Sequence, residues 1–273
     1  MFLAVRLSVL VIDPIPLVFL RYATAIFALY VAAKLMRIDL SPAWIDRKDW
    51  KLIFLTGLIG QTLSIVTQET GTMLTSAQTG SVVTASTPAF MVIFGYLILH
   101  EKLTVGRILS VILATIGVLF VVFDPDNFQI SISGGIFLFI AAITWAVLSV
   151  LLKLLKKYSV VVVTFYCVLV ALILLAPYSI WWLSNVADWN AIKNPEVFLS
   201  VIYLGVISTT LGFCAWNKGL LYMDAAVAGI FMFFQPIVGT ILGYWVLNEQ
   251  ITIYFWIGFV LIILGVLLSM KKT

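Results

Sequence analysis

The stretch ASTPAFMVIFGYLILHEKLT, Ala85 to Thr104, occurs a second time as FFQPIVGTILGYWVLNEQIT, Phe233 to Thr252. At a constant offset of 148, Pro88 falls on Pro236, Gly95 on Gly243, Tyr96 on Tyr244, Glu101 on Glu249 and Thr104 on Thr252. The register continues in both directions without a gap. Upstream, Gly57 meets Gly205, Leu63 meets Leu211 and Gly71 meets Gly219; downstream, Gly117 meets Gly265. Apolar composition alone does not repeat a proline and several glycines in one register over this length. The chain is an internal duplication, and the rest of the reading follows from that.

Of 273 residues, 63% are hydrophobic and 10% charged, where a soluble domain carries roughly 25% charged residues. This composition is that of an integral membrane protein. Cys167 and Cys214 both lie in apolar runs, which excludes a disulfide framework. The net charge of +4 does not point to nucleic acid, because the basic residues sit in loops and act as topology signals.

A spanning helix needs about 20 apolar residues. Such segments fall near 17–36, 52–70, 74–99, 105–123, 134–153, 160–183, 197–217, 221–247 and 254–270. A partial segment, Met1 to about Ile12, precedes them and ends at Asp13-Pro14. A secretory signal fits it poorly, lacking a basic region before it and a small-residue cleavage site after it. At an offset of 147, Phe2 falls on Ser149 and Arg6 on Lys153, and the matching helix begins near Gly134. The first helix is therefore expected to lack its N-terminal half in this sequence.

With that helix restored, the expected fold is an all-α integral membrane protein of ten helices. Residues 1–123 form a first five-helix repeat and 134–273 a second, together one membrane domain. An odd number of spans per repeat inverts one half relative to the other, a transporter arrangement with the substrate site near the midplane. Charge sets the orientation. Thirteen of the sixteen Lys and Arg residues, from Lys34, Arg37, Arg47, Lys48 and Lys51 to Lys271 and Lys272, fall on one side. Lys193 alone falls on the other, and Arg6 and Arg21 are read as lying at helix ends. The positive-inside bias puts both termini in the cytoplasm of a multi-pass protein.

Pro88 and Pro236 lie inside apolar spans, where a proline removes one backbone hydrogen bond and kinks the helix. They serve either packing or a hinge, and their repetition favours the hinge. Glu101 with Thr104, and Glu249 with Thr252, are read as helix-start corners. Gln61, Ser64 and Gln68 share one helical face, which either glues helices together or lines a cavity. Glu69 is an ionisable group within a span. It is either hydrated at the outer end or acts in coupling or on a substrate amine. Gln78 stands in a run of small and hydroxyl residues that suits either close helix packing or, through Gln78, Ser81 and Thr84, hydrogen bonds to a solute. Their counterparts in the second half are Ser208, Thr209, Thr210, Trp216 and Asn217, then Met232 and Gln235. Trp145 and Ser149 belong to the sixth span. Trp145 is too deep for the interfacial aromatic belt, to which Trp181, Trp182 and Trp189 are assigned. The single histidine, His100, excludes a His-based metal cluster. No cofactor is expected, and no catalytic motif marks an enzyme.

The segments LTSA…P…HEKLT and YMDAAVAGIFMFFQPIVGTILGYWVLNEQIT resemble the EamA-type family of the drug/metabolite transporter superfamily. DPIPLVFLRY, joining the first two helices, resembles the family's stretch at that place. The resemblance covers essentially the whole chain. It implies a bacterial inner-membrane carrier, often an exporter of amino acids or related metabolites, with a central cavity between the halves. It strengthens Gln61, Gln68, Gln78, Thr209, Trp216 and Gln235 as cavity residues. The expected function is secondary transport of a small solute by alternating access within the lipid bilayer, with Glu69 as the coupling candidate. Pairing as a homodimer stays open. The rival readings are a non-transporting membrane partner or sensor protein, and an intramembrane enzyme.

Overall fold

A computed structural model describes residues 1–100, 105–122, 128–222, 232, 235, 238, 242, 244–246 and 253–270. Among these residues the secondary structure is helical, with no strand. The helices are α1 (Phe2–Ser8), α2 (Pro14–Leu35), α3 (Trp50–Leu74), α4 (Ala77–Leu99) and α5 (Val105–Val122). They continue as α6 (Phe128–Leu154), α7 (Val160–Asn185), α8 (Pro195–Tyr222) and α9 (Ile253–Met270). Six of them, α2, α3, α4, α6, α7 and α8, are long and apolar enough to cross a membrane. Most of the segment expected near 221–247 lies outside the described residues, as do Pro236 and the corners Glu101–Thr104 and Glu249–Thr252.

The helix starts follow local chemistry. Asp13 caps α2 by accepting the Ile15 N–H at 3.1 Å, with Pro14 in the first turn. Ser76 does the same for α4 through the Thr79 N–H at 3.0 Å, and Asn194 for α8 through the Glu196 N–H at 3.0 Å. Each cap satisfies a donor that has no partner within the helix.

The duplication is visible as matching irregularities. α3 turns π-helical over Gly57–Leu63 and α8 over Tyr203–Leu211, positions that correspond at the offset of 148. In both, a threonine hydroxyl bonds back to the carbonyl five residues earlier: Thr62 to Gly57 and Thr210 to Gly205, each at 3.1 Å. π-helical turns are rare and concentrate at functional sites.

The two glycines at these turns show why small residues recur there. A Cβ on Gly57 would stand 2.8 Å from the Cys167 carbonyl oxygen of α7. One on Gly205 would overlap the Thr24 hydroxyl and stand 2.7 Å from the Arg21 carbonyl oxygen of α2. The π turn of α3 therefore packs on α7, and that of α8 packs on α2. α2 also packs on α7, and α5 on α9. In a bilayer, close approach of this kind holds helices together, because lipid tails are as apolar as the side chains.

Pro88 departs from the expected mid-helix kink. α4 breaks into Ala77–Thr84 and Thr87–Leu99, and Pro88 sits in the first turn of the second piece. There its missing N–H removes nothing the helix start needs. The Thr84 carbonyl, which loses that donor, accepts the Thr87 hydroxyl at 2.6 Å instead. Trp181 and Trp189 are exposed, as belt residues should be, whereas Trp182 is buried in a cluster that includes Val5 and Ile12.

Candidate functional site

A cavity of about 450 Å³ opens between the halves. Its apolar wall is Ile65, Trp145, Phe213, Trp216 and Met232, and its polar groups come from Gln68, Thr84, Thr87, Tyr203, Ser208 and Gln235. Trp145 and Phe213 stack at 5.1 Å between centroids. The wall thus draws on α3, α4 and α6 as well as on α8. Met232 and Gln235 also face the cavity.

Of the residues singled out in the sequence, Gln68, Trp145, Trp216, Met232 and Gln235 line this space. Gln61, Ser64, Gln78, Ser149 and Thr209 are buried and do not. Several of these support the wall. Gln61, in the π turn, accepts the Tyr22 hydroxyl at its backbone carbonyl at 2.7 Å and at its side-chain oxygen at 3.1 Å. Ser64 donates to the Ala141 carbonyl at 3.0 Å and so ties α3 to α6. Ser149 accepts the Trp216 indole N–H at 3.4 Å, which aims that ring.

Arg21 is the residue the sequence placed wrongly. It does not lie at a helix end but inside α2, fully buried. Glu69 is fully buried too, which removes the hydrated reading. The two form an ion pair, Nη1 to Oε1, at 3.0 Å. Arg21 Nε donates to Thr209 Oγ1 at 2.6 Å and Nη2 to Ser208 Oγ at 3.3 Å. The guanidinium carbon stands 5.4 Å from the Phe213 ring centre. One cation therefore links α2 and α3 to the π turn of α8. Glu69 Oε2 has no partner among the described residues. Arg6 does lie at a helix end, in the last turn of α1, and donates to the carbonyls of Thr72 and Met73 at the end of α3.

The arrangement offers hydrogen bonds and aromatic surface for holding a small solute. Among the described residues no group of His, Cys, Asp and Glu could hold a metal ion.

The chain matches the EamA-like transporter family over residues 1–123 and again over 132–271. It is 27% identical over 277 residues to an uncharacterized transporter of Archaeoglobus fulgidus, covering 99% of this chain and 94% of the relative. It is 52% identical over 71 residues to the permease-like protein YdzE of Bacillus subtilis, 26% of this chain and 91% of that one. Transporter YyaM of the same organism, uncharacterized, is 30% identical over 212 residues, 72% of this chain and 65% of that one. A protein of known crystal structure superposes with a TM-score of 0.70 at 20% identity, covering 98% of this chain and 95% of the other. That likeness extends to the fold.

Proposed function

The chain belongs to the EamA-like transporter family, and on that premise we propose that this multi-pass membrane transporter is a secondary carrier exporting small metabolites such as amino acids. The observation that carries the reading is the cavity, whose walls come from both halves of the chain. A zwitterionic or neutral solute suits it, because the side chains that line it are apolar, aromatic or neutral polar, with the Arg21–Glu69 pair behind them.

The mechanism we infer is alternating access between two inverted five-helix repeats, 1–123 and 134–273. The exchange of partners supports it: α3 packs on the helix of the second half that corresponds to α2, and α8 packs on α2 itself. The break in α4 before Pro88 gives that helix a place to bend, and Pro236 is its proposed counterpart. Glu69 remains the coupling candidate, as the buried carboxylate beside the cavity. The membrane we infer is the bacterial inner membrane, and the positive-inside charge bias supports both termini lying in the cytoplasm.

Counterflow in proteoliposomes tests this. Vesicles are preloaded with single unlabelled amino acids, and labelled uptake is recorded. Accelerated uptake with one chemical class is the expected outcome. No exchange across amino acids and a broad metabolite panel would overturn it.

A further inference from the structure

We propose that Arg21, Gln68 and Ser208 form an oxyanion subsite of the cavity, which selects solutes bearing a single carboxylate on an apolar body. The inference rests on the carrier reading above and deepens it.

A guanidinium presents five N–H donors in a rigid planar fork. Arg21 commits Nε to Thr209 and Nη1 to Glu69. Its Nη2 edge turns to the cavity wall. There it meets Ser208 Oγ at 3.3 Å and the Met1 sulfur at 3.6 Å. Gln68 Nε2 approaches the same sulfur at 3.9 Å. A thioether is a weak acceptor. One point in the wall is thus flanked by a cationic donor from α2 and an amide donor from α3, and is filled by an atom that answers neither well. An oxygen anion at that point would accept from both, in charge-assisted bonds of about 2.7–2.9 Å. Met1, Gln68 and Ser208 all line the cavity, so a solute reaches this point by displacing one flexible side chain.

The surroundings define the rest of the ligand. Phe213 stacks under the guanidinium and continues into Ile65, Trp145 and Trp216. An apolar body extending from the carboxylate would lie on that wall. Glu69 balances Arg21 while the site is empty. Its charge also disfavours a dianion such as phosphate, because a second negative charge would meet the Glu69 carboxylate as a like charge.

The duplication argues that this charge serves the solute. The N-caps Asp13 and Ser159 align α2 with α7 at an offset of 146, so Cys167 corresponds to Arg21, while at the offset of 148 Asn217 corresponds to Glu69. Asn217 joins α8 to α7 by a neutral hydrogen bond to Thr164, at 3.0 Å. The same helix junction is therefore made without ions in the other half. An ionisable pair inside a membrane is expensive and typically functional.

The test compares acids with their primary amides in counterflow: leucine with leucinamide, and phenylalanine with phenylalaninamide. The wild type should exchange each acid at least about tenfold faster than its amide, as a hydrogen bond to a charged group implies. Arg21→Gln with Glu69→Gln keeps two neutral, mutually bonding side chains in place of the ion pair. In that double variant the acid-to-amide ratio should fall to near one. Gln68→Ala and Ser208→Ala leave the pair intact and should lower the ratio about three- to tenfold; they decide the matter if the double variant does not fold. Equal exchange of acid and amide by the wild type would overturn the subsite while the carrier reading stands. An unchanged ratio in Gln68→Ala and Ser208→Ala would do the same. No exchange of any acid or amide would overturn both.

Discussion

One helix junction is built twice in this molecule, by different means. In the first half α3 meets α2 through the ion pair Glu69–Arg21, with both side chains fully buried. In the second half α8 meets α7 through Asn217 and Thr164, one neutral hydrogen bond. The backbone around the two is alike, down to matched π turns and matched threonine bonds. The difference separates what the fold needs from what one site adds. A polar contact between these helices suffices for packing; the charges are an addition confined to the first half, where Arg21 also reaches Ser208.

The sharpest way to break this comparison is to remove one charge. Arg21→Gln or Glu69→Gln leaves its partner buried and uncompensated, a loss of about 3–5 kcal/mol where a buried pair is broken. Thermal unfolding in detergent should show a large fall in Tm for either single variant. The double variant should recover most of it. A single variant as stable as the wild type would mean that the pair does not hold the helices.

Second come the glycines at the π turns. Gly57→Ala and Gly205→Ala each push a methyl group toward a backbone carbonyl of the neighbouring helix, at 2.8 and 2.7 Å. Overpacking of this kind costs about 1–3 kcal/mol. Both variants should lower Tm, and Gly205→Ala at least as much as Gly57→Ala, because its methyl group would also overlap the Thr24 hydroxyl. A large shift at Gly205 and none at Gly57 would break the equivalence of the two carbonyl contacts.

These positions also show what the sequence could and could not convey. The glycine register at 57 and 205 was legible because it recurs at a fixed offset, and the structure gives it a backbone contact as its cause. Gln68, Trp145 and Trp216 were legible as polar or aromatic groups at depth. Arg21 was not, because the apolar run begins at Leu17, which leaves the arginine close to an end. Asp13 and Pro14 mark the true start, and they put Arg21 well inside the helix. The usable signal was charge matching: an arginine within LVFLRYATAIFALY needs a carboxylate, and Glu69 is the ionised residue at comparable depth. The break before Pro88 was hidden for another reason. It depends on the Thr87 hydroxyl serving the Thr84 carbonyl, a local bond that hydropathy does not register.

Third, Asn217→Leu sharpens the comparison from the neutral side. Interhelical hydrogen bonds in membranes average about 0.6 kcal/mol, because the separated helices find other partners. The expected fall in Tm is therefore several times smaller than for either Arg21 or Glu69 alone. An equal fall would mean that the neutral junction is as critical as the ionic one.

The smallest effect belongs to a link at the membrane surface, where water weakens every charge. Lys157, between α6 and α7, pairs with Asp46 and Asp49 in the loop before α3. Tyr158 adds a hydroxyl bond to Asp49 at 2.7 Å. The bond from Lys157 holds both aspartates below their ordinary value of 3.8, and those bonds raise Lys157 above its ordinary 10.5. The signs fix the window. Carboxylates depressed in the folded state add stability above 3.8 and lose it as pH falls through their lowered values. The raised lysine adds stability below 10.5 and loses it only as pH rises through its folded value. The difference in Tm between the wild type and Lys157→Met should hold constant between those limits, shrink in high salt and vanish in strong acid. A difference that persisted unchanged in acid would show that Lys157 acts through its aliphatic stem on Tyr158, which lies 4.9 Å from its ammonium, and that the carboxylates contribute nothing.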